Sequence, residues 1–192
     1  MNFDMVFDIQ HAYRQVVHAF AYPGDIVSLK QEADKLDVPL KCRAGTSVLL
    51  YMLLDADTSF HAAEEEQLAV NIARLTYCRS CTLETAAHVI VTKEHSDKLC
   101  EIMQKVKTGT LEDPHLGATL IVECESLKEG DDLILRGPGI QLSHTIASPL
   151  NDDWVEIRSL VNEEFPLGFD MLLIDADANC LALPRTTQVE RR

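Results

Sequence analysis

The first twenty residues of the chain show the spacing of an amphipathic helix. Apolar side chains recur there at three- and four-residue steps and form one stripe, made of Val6, Ile9, Tyr13, Val16, Val17 and Phe20. Pro23 and Gly24 end this helix, because proline lacks the backbone N–H that a further turn requires. Similar reasoning predicts four more helices, over 48–54, 64–75, 97–106 and 152–162. The helix over 48–54 is apolar on nearly all sides, so we expect it to be buried and capped by Thr46 or Ser47.

Short apolar runs between these helices have the length of buried strands. They cover 26–29, 87–91, 118–124, 133–135, 171–174 and 180–183. The runs 118–124 and 133–135, and likewise 171–174 and 180–183, are joined by short polar segments, so each pair is expected to run antiparallel. Helices and strands alternate without a linker or a repeat. The pattern therefore predicts a single α/β domain over residues 1–192, with a mixed sheet flanked by helices.

The charge of the chain narrows the class of protein. Acidic residues outnumber basic ones by 31 to 17, which gives a formal net charge of −14 and argues against nucleic-acid binding. The N-terminus carries acidic residues where a secretory signal carries positive charge, and the longest apolar run, 48–54, is too short to cross a bilayer. We therefore expect a cytoplasmic protein that binds neither nucleic acid nor membrane. Its six cysteines are then expected to be free thiols.

Two clusters could hold a metal ion. Cys78 and Cys81 form a CxxC pair, but a structural zinc site needs about four ligands, and the sequence has neither a second CxxC nor an HxxxH. Chance spacing is the favoured interpretation, and metal or redox use stays open. Asp55 and Asp57 with Glu64–Glu66 are more simply explained as residues at helix ends than as a cation site. The sequence predicts no metal and no cofactor.

Two turns place arginine beside glycine or hydroxyl groups. The first carries Arg136, Gly137 and Gly139, and the second carries Arg185, Thr186 and Thr187. Arginine with exposed amides and threonine hydroxyls suits a phosphate or carboxylate, and it suits a protein interface equally well. The Gly-Pro-Gly turn follows a strand and does not open a helix, so we interpret it as a strand-ending turn that shapes a subunit surface, with Arg136 as a candidate anion contact.

Six short motifs, taken in order, resemble the PhnH family, a subunit family of the bacterial carbon–phosphorus lyase system. They are YRQVVHAFAYPG at 13–24, LLDADTSF at 53–60, GAT at 117–119, LRGPGI at 135–140, FPLGFD at 165–170 and LPRTT at 183–187. Tyr13, Phe20 and Asp57 replace the usual Phe, Met and Glu of the family, which are mild changes. The resemblance covers nearly the whole chain.

This resemblance implies a role in organophosphonate catabolism, where related systems couple a phosphonate to the ribose of ATP and release adenine. It also implies a fold similar to PLP-dependent transferases without bound PLP, and none of the eight lysines lies in a motif that marks a Schiff base. The implied partners are PhnG-, PhnI- and PhnJ-type subunits, or a second copy in a homodimer of the isolated chain. No catalytic residue of the family maps onto the sequence. We therefore expect a non-catalytic or accessory subunit, and the alternative is an independent protein or enzyme that binds a phosphate or phosphonate ligand.

Overall fold

The computed structural model describes residues 3–37, 40–130, 132–147, 150 and 153–192. Within these ranges the helices are α1 (Phe7–Ala21), α2 (Lys30–Ala33), α3 (Ala44–Leu53), α4 (Glu66–Thr76), α5 (Leu99–Met103) and α6 (Trp154–Val161). The strands are β1 (Val27–Ser28), β2 (Ser59–Ala62), β3 (Arg79–Ser80), β4 (His88–Val91), β5 (Thr119–Glu123), β6 (Asp132–Arg136), β7 (His144–Ala147), β8 (Asp170–Ile174), β9 (Asn179–Leu183) and β10 (Gln188–Arg191). None of the helices in these ranges is long and apolar enough to cross a membrane.

The larger sheet is apolar on both faces because both faces are covered. Successive residues of a strand point to opposite sides, and β4 shows the consequence. Val89 and Val91 pack with α5, α6 and the smaller sheet, whereas Ile90 packs with α1, α3 and α4. All three side chains are fully buried. The fold is thus layered, with one helical layer on one face and helices plus a second sheet on the other.

The larger sheet is mixed, as the sequence predicts. Its order is β1-β9-β8-β5-β4-β2-β3, and the strands from β8 to β3 run parallel to one another. β9 runs antiparallel to β8, with Met171 opposite Leu183, which confirms the predicted pairing of 171–174 with 180–183. The likeness to PLP-dependent transferases stays a prediction.

The predicted pairing of 118–124 with 133–135 is wrong. β5 lies between β4 and β8, and β6 instead pairs with β7 and β10 in a smaller antiparallel sheet. Burial explains the difference. Four consecutive residues of β5 are buried, as suits an interior parallel strand, whereas β6 buries alternate residues and has one solvated face. Two segments predicted to be neighbours therefore belong to different layers.

The predicted helices are all present, with shifted bounds. The start of the last one, Asp152, lies outside the described residues. Thr46 and Ser47 do not cap α3, because that helix begins at Ala44 and both side chains are buried within it. The Thr46 hydroxyl donates to Glu123 (2.6 Å), and the Ser47 hydroxyl accepts the backbone N–H of Leu40 (3.1 Å). α2, β2, β3, β7 and β10 were not predicted.

The helix α1 buries a face that only partly overlaps its apolar stripe. The buried residues are Asp8, Ala12, Val16 and Ala19, and Phe20 is partly buried against the same core, so Val16 and Phe20 are stripe residues that reach it. Tyr13 and Val17 are 56% and 47% exposed. The buried Asp8 pairs with Lys35 (2.7 Å), and small alanines let the helix lie close to its neighbours. The periodicity thus predicts the helix correctly, but part of its apolar stripe, including Tyr13 and Val17, faces outward.

Candidate functional site

The Gly-Pro-Gly turn is a packing element. Gly137 and Gly139 have φ values of 141° and 84°, where side chains are disfavoured. A Cβ on Gly139 would collide with the carbonyl oxygen of Ala21, at the end of α1, and one on Gly137 would lie 2.8 Å from the carbonyl oxygen of Thr186. The turn is therefore held between α1 and the segment 183–187. This agrees with its interpretation as a strand-ending turn.

The candidate Arg136 lies on the outer surface of the smaller sheet. Its guanidinium donates to the Glu190 carboxylate on the neighbouring strand β10 (2.5 Å). About half of each side chain is exposed. The pair ties β6 to β10 at the surface.

Arg185 is committed to internal contacts. Its guanidinium and its backbone N–H both donate to the Asp170 carboxylate, at 2.6 and 2.7 Å, and Nη1 donates to the carbonyl oxygen of Pro114 (2.7 Å). The backbone N–H of Asp170 in turn donates to the carbonyl oxygen of Ala118 (3.0 Å). Three of the sequence motifs, at 117–119, 165–170 and 183–187, therefore meet around this ion pair.

Another arginine, Arg158 of α6, is buried and binds the same segment through its backbone carbonyl oxygens. Its Nη1 donates to the carbonyl oxygen of Thr187 (2.8 Å), and its Nη2 donates to the carbonyl oxygens of Pro184 (2.6 Å) and Leu183 (3.3 Å). The side chain is 2% exposed. Within the described ranges no carboxylate lies within 4.0 Å of it, and its Nε has no hydrogen-bond partner.

Burial lowers the pKa of Arg158 to about 10, although Asp170 acts in the opposite direction. The group is therefore still a cation at neutral pH. The sequence reasoning missed it, yet a signal was present. Arg158 follows Trp154 by four residues and Val155 by three, and so falls on the apolar face of α6. An arginine at such a position is a buried cation in need of partners.

An open cavity of about 310 Å³ adjoins this arginine. Its wall includes Arg158, Arg185, Thr187 and Gln188, and Glu163 stands at its exposed rim. The Thr187 hydroxyl is buried and finds no hydrogen-bond partner within the described part of the chain. Of the residues predicted from sequence, Arg185 and Thr187 are thus brought together here. The others, Arg136, Gly137, Gly139 and Thr186, do not line this cavity.

A second crevice lies at the carboxyl end of β5, an edge of parallel sheets where ligands often bind. It is lined by Lys41, Cys42, Arg43, Glu65, Glu94 and Glu123. Glu123 is buried and already accepts the backbone N–H of Arg43 (2.9 Å) besides the Thr46 hydroxyl. Burial raises the pKa of the Cys42 thiol to about 12, so it is protonated at neutral pH. Among the described residues, no group of three or more His, Cys, Asp or Glu is placed to hold a metal.

The CxxC pair flanks the edge strand β3, and both of its thiols are free. Cys78 is buried against the Thr58 hydroxyl (3.2 Å), and this burial raises the pKa of its thiol. A thiol with a raised pKa is a poor metal ligand and a poor nucleophile. This environment favours chance spacing over redox or metal use.

The chain matches a known protein family over nearly its whole length. The family described as bacterial phosphonate metabolism protein (PhnH) matches residues 2–190. HtxG of Stutzerimonas stutzeri, named as a C-P lyase subunit protein, is 32% identical over 182 residues, which span 94% of this chain and 85% of the relative. The alpha-D-ribose 1-methylphosphonate 5-triphosphate synthase subunit PhnH of Rhizobium meliloti (strain 1021) is 32% identical over 196 residues, with 98% and 93% of the two chains covered. The chain belongs to the PhnH family, which confirms the resemblance of its motifs.

Proposed function

We propose that this chain is a subunit of a carbon–phosphorus lyase complex in organophosphonate catabolism. The observation that carries the proposal is its near full-length relationship to two proteins whose names designate them subunits. The Rhizobium relative is named for a product with methylphosphonate on ribose C1 and a 5-triphosphate. Such a product forms from ATP when a phosphonate oxygen bonds to C1 of the ribose and the bond to adenine breaks. We infer that the complex performs this coupling, in the cytoplasm, where ATP is available.

We infer that the chain is an accessory component and that other subunits carry the chemistry. Three of its thiols and one buried carboxylate are held in states that disfavour nucleophilic attack. Burial raises the pKa of the Cys124 and Cys180 thiols to about 12, as it does for Cys42. The Glu123 carboxylate is buried and occupied by its hydrogen bonds within the fold.

The exposed residues of the α1 stripe form the surface that we assign to a partner subunit of the PhnG, PhnI or PhnJ type. An amphipathic helix normally turns its apolar stripe to the core, but here Val6, Tyr13 and Val17 are 70%, 56% and 47% exposed. The neighbouring Phe7 is 73% exposed. Exposed apolar patches of this kind mark protein–protein contacts. Without partners, we expect the chain to associate as a homodimer.

Reconstitution tests this proposal. The chain is expressed with and without PhnG-, PhnI- and PhnJ-type subunits of the same organism, and adenine release from ATP plus methylphosphonate is measured. We expect release from the full set, none when this chain is omitted, and none from the chain alone. Adenine release by the isolated chain would instead establish an independent enzyme.

A matched pair of variants tests the docking surface. Val17→Asp places a charge on the stripe and is expected to abolish co-purification with the other subunits, without lowering the thermal midpoint of the isolated chain. Leu111→Asp changes an equally apolar residue, 75% exposed, away from α1 and is expected to co-purify normally. Equal behaviour of the two variants would remove α1 from the interface.

A further inference from the structure

We propose that the cavity beside Arg158 binds a small tetrahedral oxyanion, a phosphoryl or phosphonyl group. The first observation is an imbalance of charge. The cavity wall carries two guanidinium groups, Arg158 and Arg185, and the one carboxylate that pairs with them among the described residues is that of Asp170. It pairs with Arg185 and reaches Arg158 only through the weaker interaction noted above, so the direct partners of the Arg158 guanidinium among the described residues are carbonyl oxygens. A buried cation without a counter-charge is unfavourable, and an anion in the cavity would supply that charge.

The second observation is a set of unused hydrogen-bonding groups. Three contacts to carbonyl oxygens occupy part of the five N–H donors of Arg158, and its Nε has no partner. The hydroxyl of Thr187 also has none. Both side chains are 98% buried and both line the cavity. Buried polar groups are normally paired, so two adjacent exceptions indicate a partner that binds from outside the chain.

The arrangement of the donors favours a tetrahedral anion. A guanidinium presents its N–H groups in one plane, and the Thr187 hydroxyl and the Gln188 amide add donors from another segment of the wall. Phosphate and phosphonate oxygens point in three directions and can use such a set, whereas a carboxylate has two coplanar oxygens. Glu163 stands at the exposed rim, where water screens its charge. The choice of a phosphonate as the natural anion rests on the proposed function, but the anion site does not.

Calorimetric titration of the isolated full chain with inorganic phosphate, methylphosphonate or acetate tests the site. We expect one binding site for phosphate or methylphosphonate. Tighter binding of methylphosphonate would identify a phosphonyl ligand, and tighter binding of phosphate would identify a phosphoryl ligand. Binding of neither, or of acetate in preference to both, would overturn the inference.

Variants separate a ligand role from a structural one. Thr187→Val removes the unpartnered hydroxyl at almost constant volume, so we expect the thermal midpoint without anion to be unchanged or higher, while affinity falls about tenfold. Arg158→Lys retains the charge and is expected to weaken binding further. Arg136→Gln, outside the cavity, is the control with unchanged affinity. Natural affinity in Thr187→Val, or equal loss in Arg136→Gln, would contradict the assignment.

The outcomes of the two proposals are independent. A chain that joins the complex but binds no anion refutes this inference and leaves the subunit role intact. A chain that binds phosphate or methylphosphonate but never joins the complex refutes the subunit role and leaves the site intact.

Discussion

Arg185 lies within the short segment 183–187, Arg158 binds that segment from α6, and the two arginines are partnered in different ways. Arg185 meets the carboxylate of Asp170, which also accepts its backbone N–H. Arg158 meets carbonyl oxygens, and its Nε is left without a partner. Arg185, which belongs to a sequence motif, thus has a structural role. Arg158, which belongs to none, borders the cavity with hydrogen-bond donors that are not used. The chemistry that makes a motif recognisable need not be the chemistry of a binding site.

The largest expected loss of stability follows from removing the carboxylate that pairs with Arg185. Asp170→Asn leaves the Arg185 cation nearly buried without its counter-charge, and breaking such a pair costs about 3–5 kcal/mol of unfolding free energy. Urea denaturation at neutral pH measures the loss. A loss below about 1 kcal/mol, the range of exposed pairs, would show that solvent already stabilises Arg185 and would erase the contrast between the two arginines.

A smaller loss of stability is expected when Arg158 is replaced. Arg158→Met leaves three carbonyl oxygens without their donor, but it also removes a buried charge that no carboxylate among the described residues pairs with directly. These opposing effects predict a loss of about 1–3 kcal/mol. The same denaturation experiment checks it. If Arg158→Met destabilised the chain more than Asp170→Asn, the carbonyl oxygens would be sufficient partners and the cavity would need no anion.

The smallest effect is expected at the exposed pair of Arg136 and Glu190. Glu190→Gln removes a carboxylate that is about half exposed, and surface pairs contribute about 0–1 kcal/mol. Raising the salt concentration should reduce even this difference, because exposed charges are screened. A loss comparable to that of Arg158→Met would show that the tie between β6 and β10 carries much of the fold's stability.

Much of the fold could be predicted because helices and strands that bury one face carry apolar residues at a regular spacing in the sequence. The 97–106 segment buries Leu99, Ile102 and Met103 in α5, as its stripe indicates, and the run 171–174 forms β8. Pairing between distant strands has no such local signal, so the placement of β5 beside β8 could not be read from spacing. The stripe of α1 has the same kind of period as that of α5, yet half of it is exposed, since period alone does not say what covers a helix.

The candidate site was predictable only in part, for a related reason. Arg185 and Thr187 stood out because they lie together in one turn. Arg158 comes from a helix about thirty residues earlier and reaches the same turn through tertiary packing. A rule that looks for charges on apolar helix faces would have found it.

Both edge strands of the larger sheet are very short. β1 and β3 contain two residues each, so each margin offers few unpaired backbone groups to another chain. Long open margins invite pairing between molecules and aggregation, and short ones suppress it. Growth of this sheet from one molecule into the next is therefore disfavoured. Association through this sheet would therefore depend on side-chain contacts of the helices that cover it, where recognition depends on which residues meet.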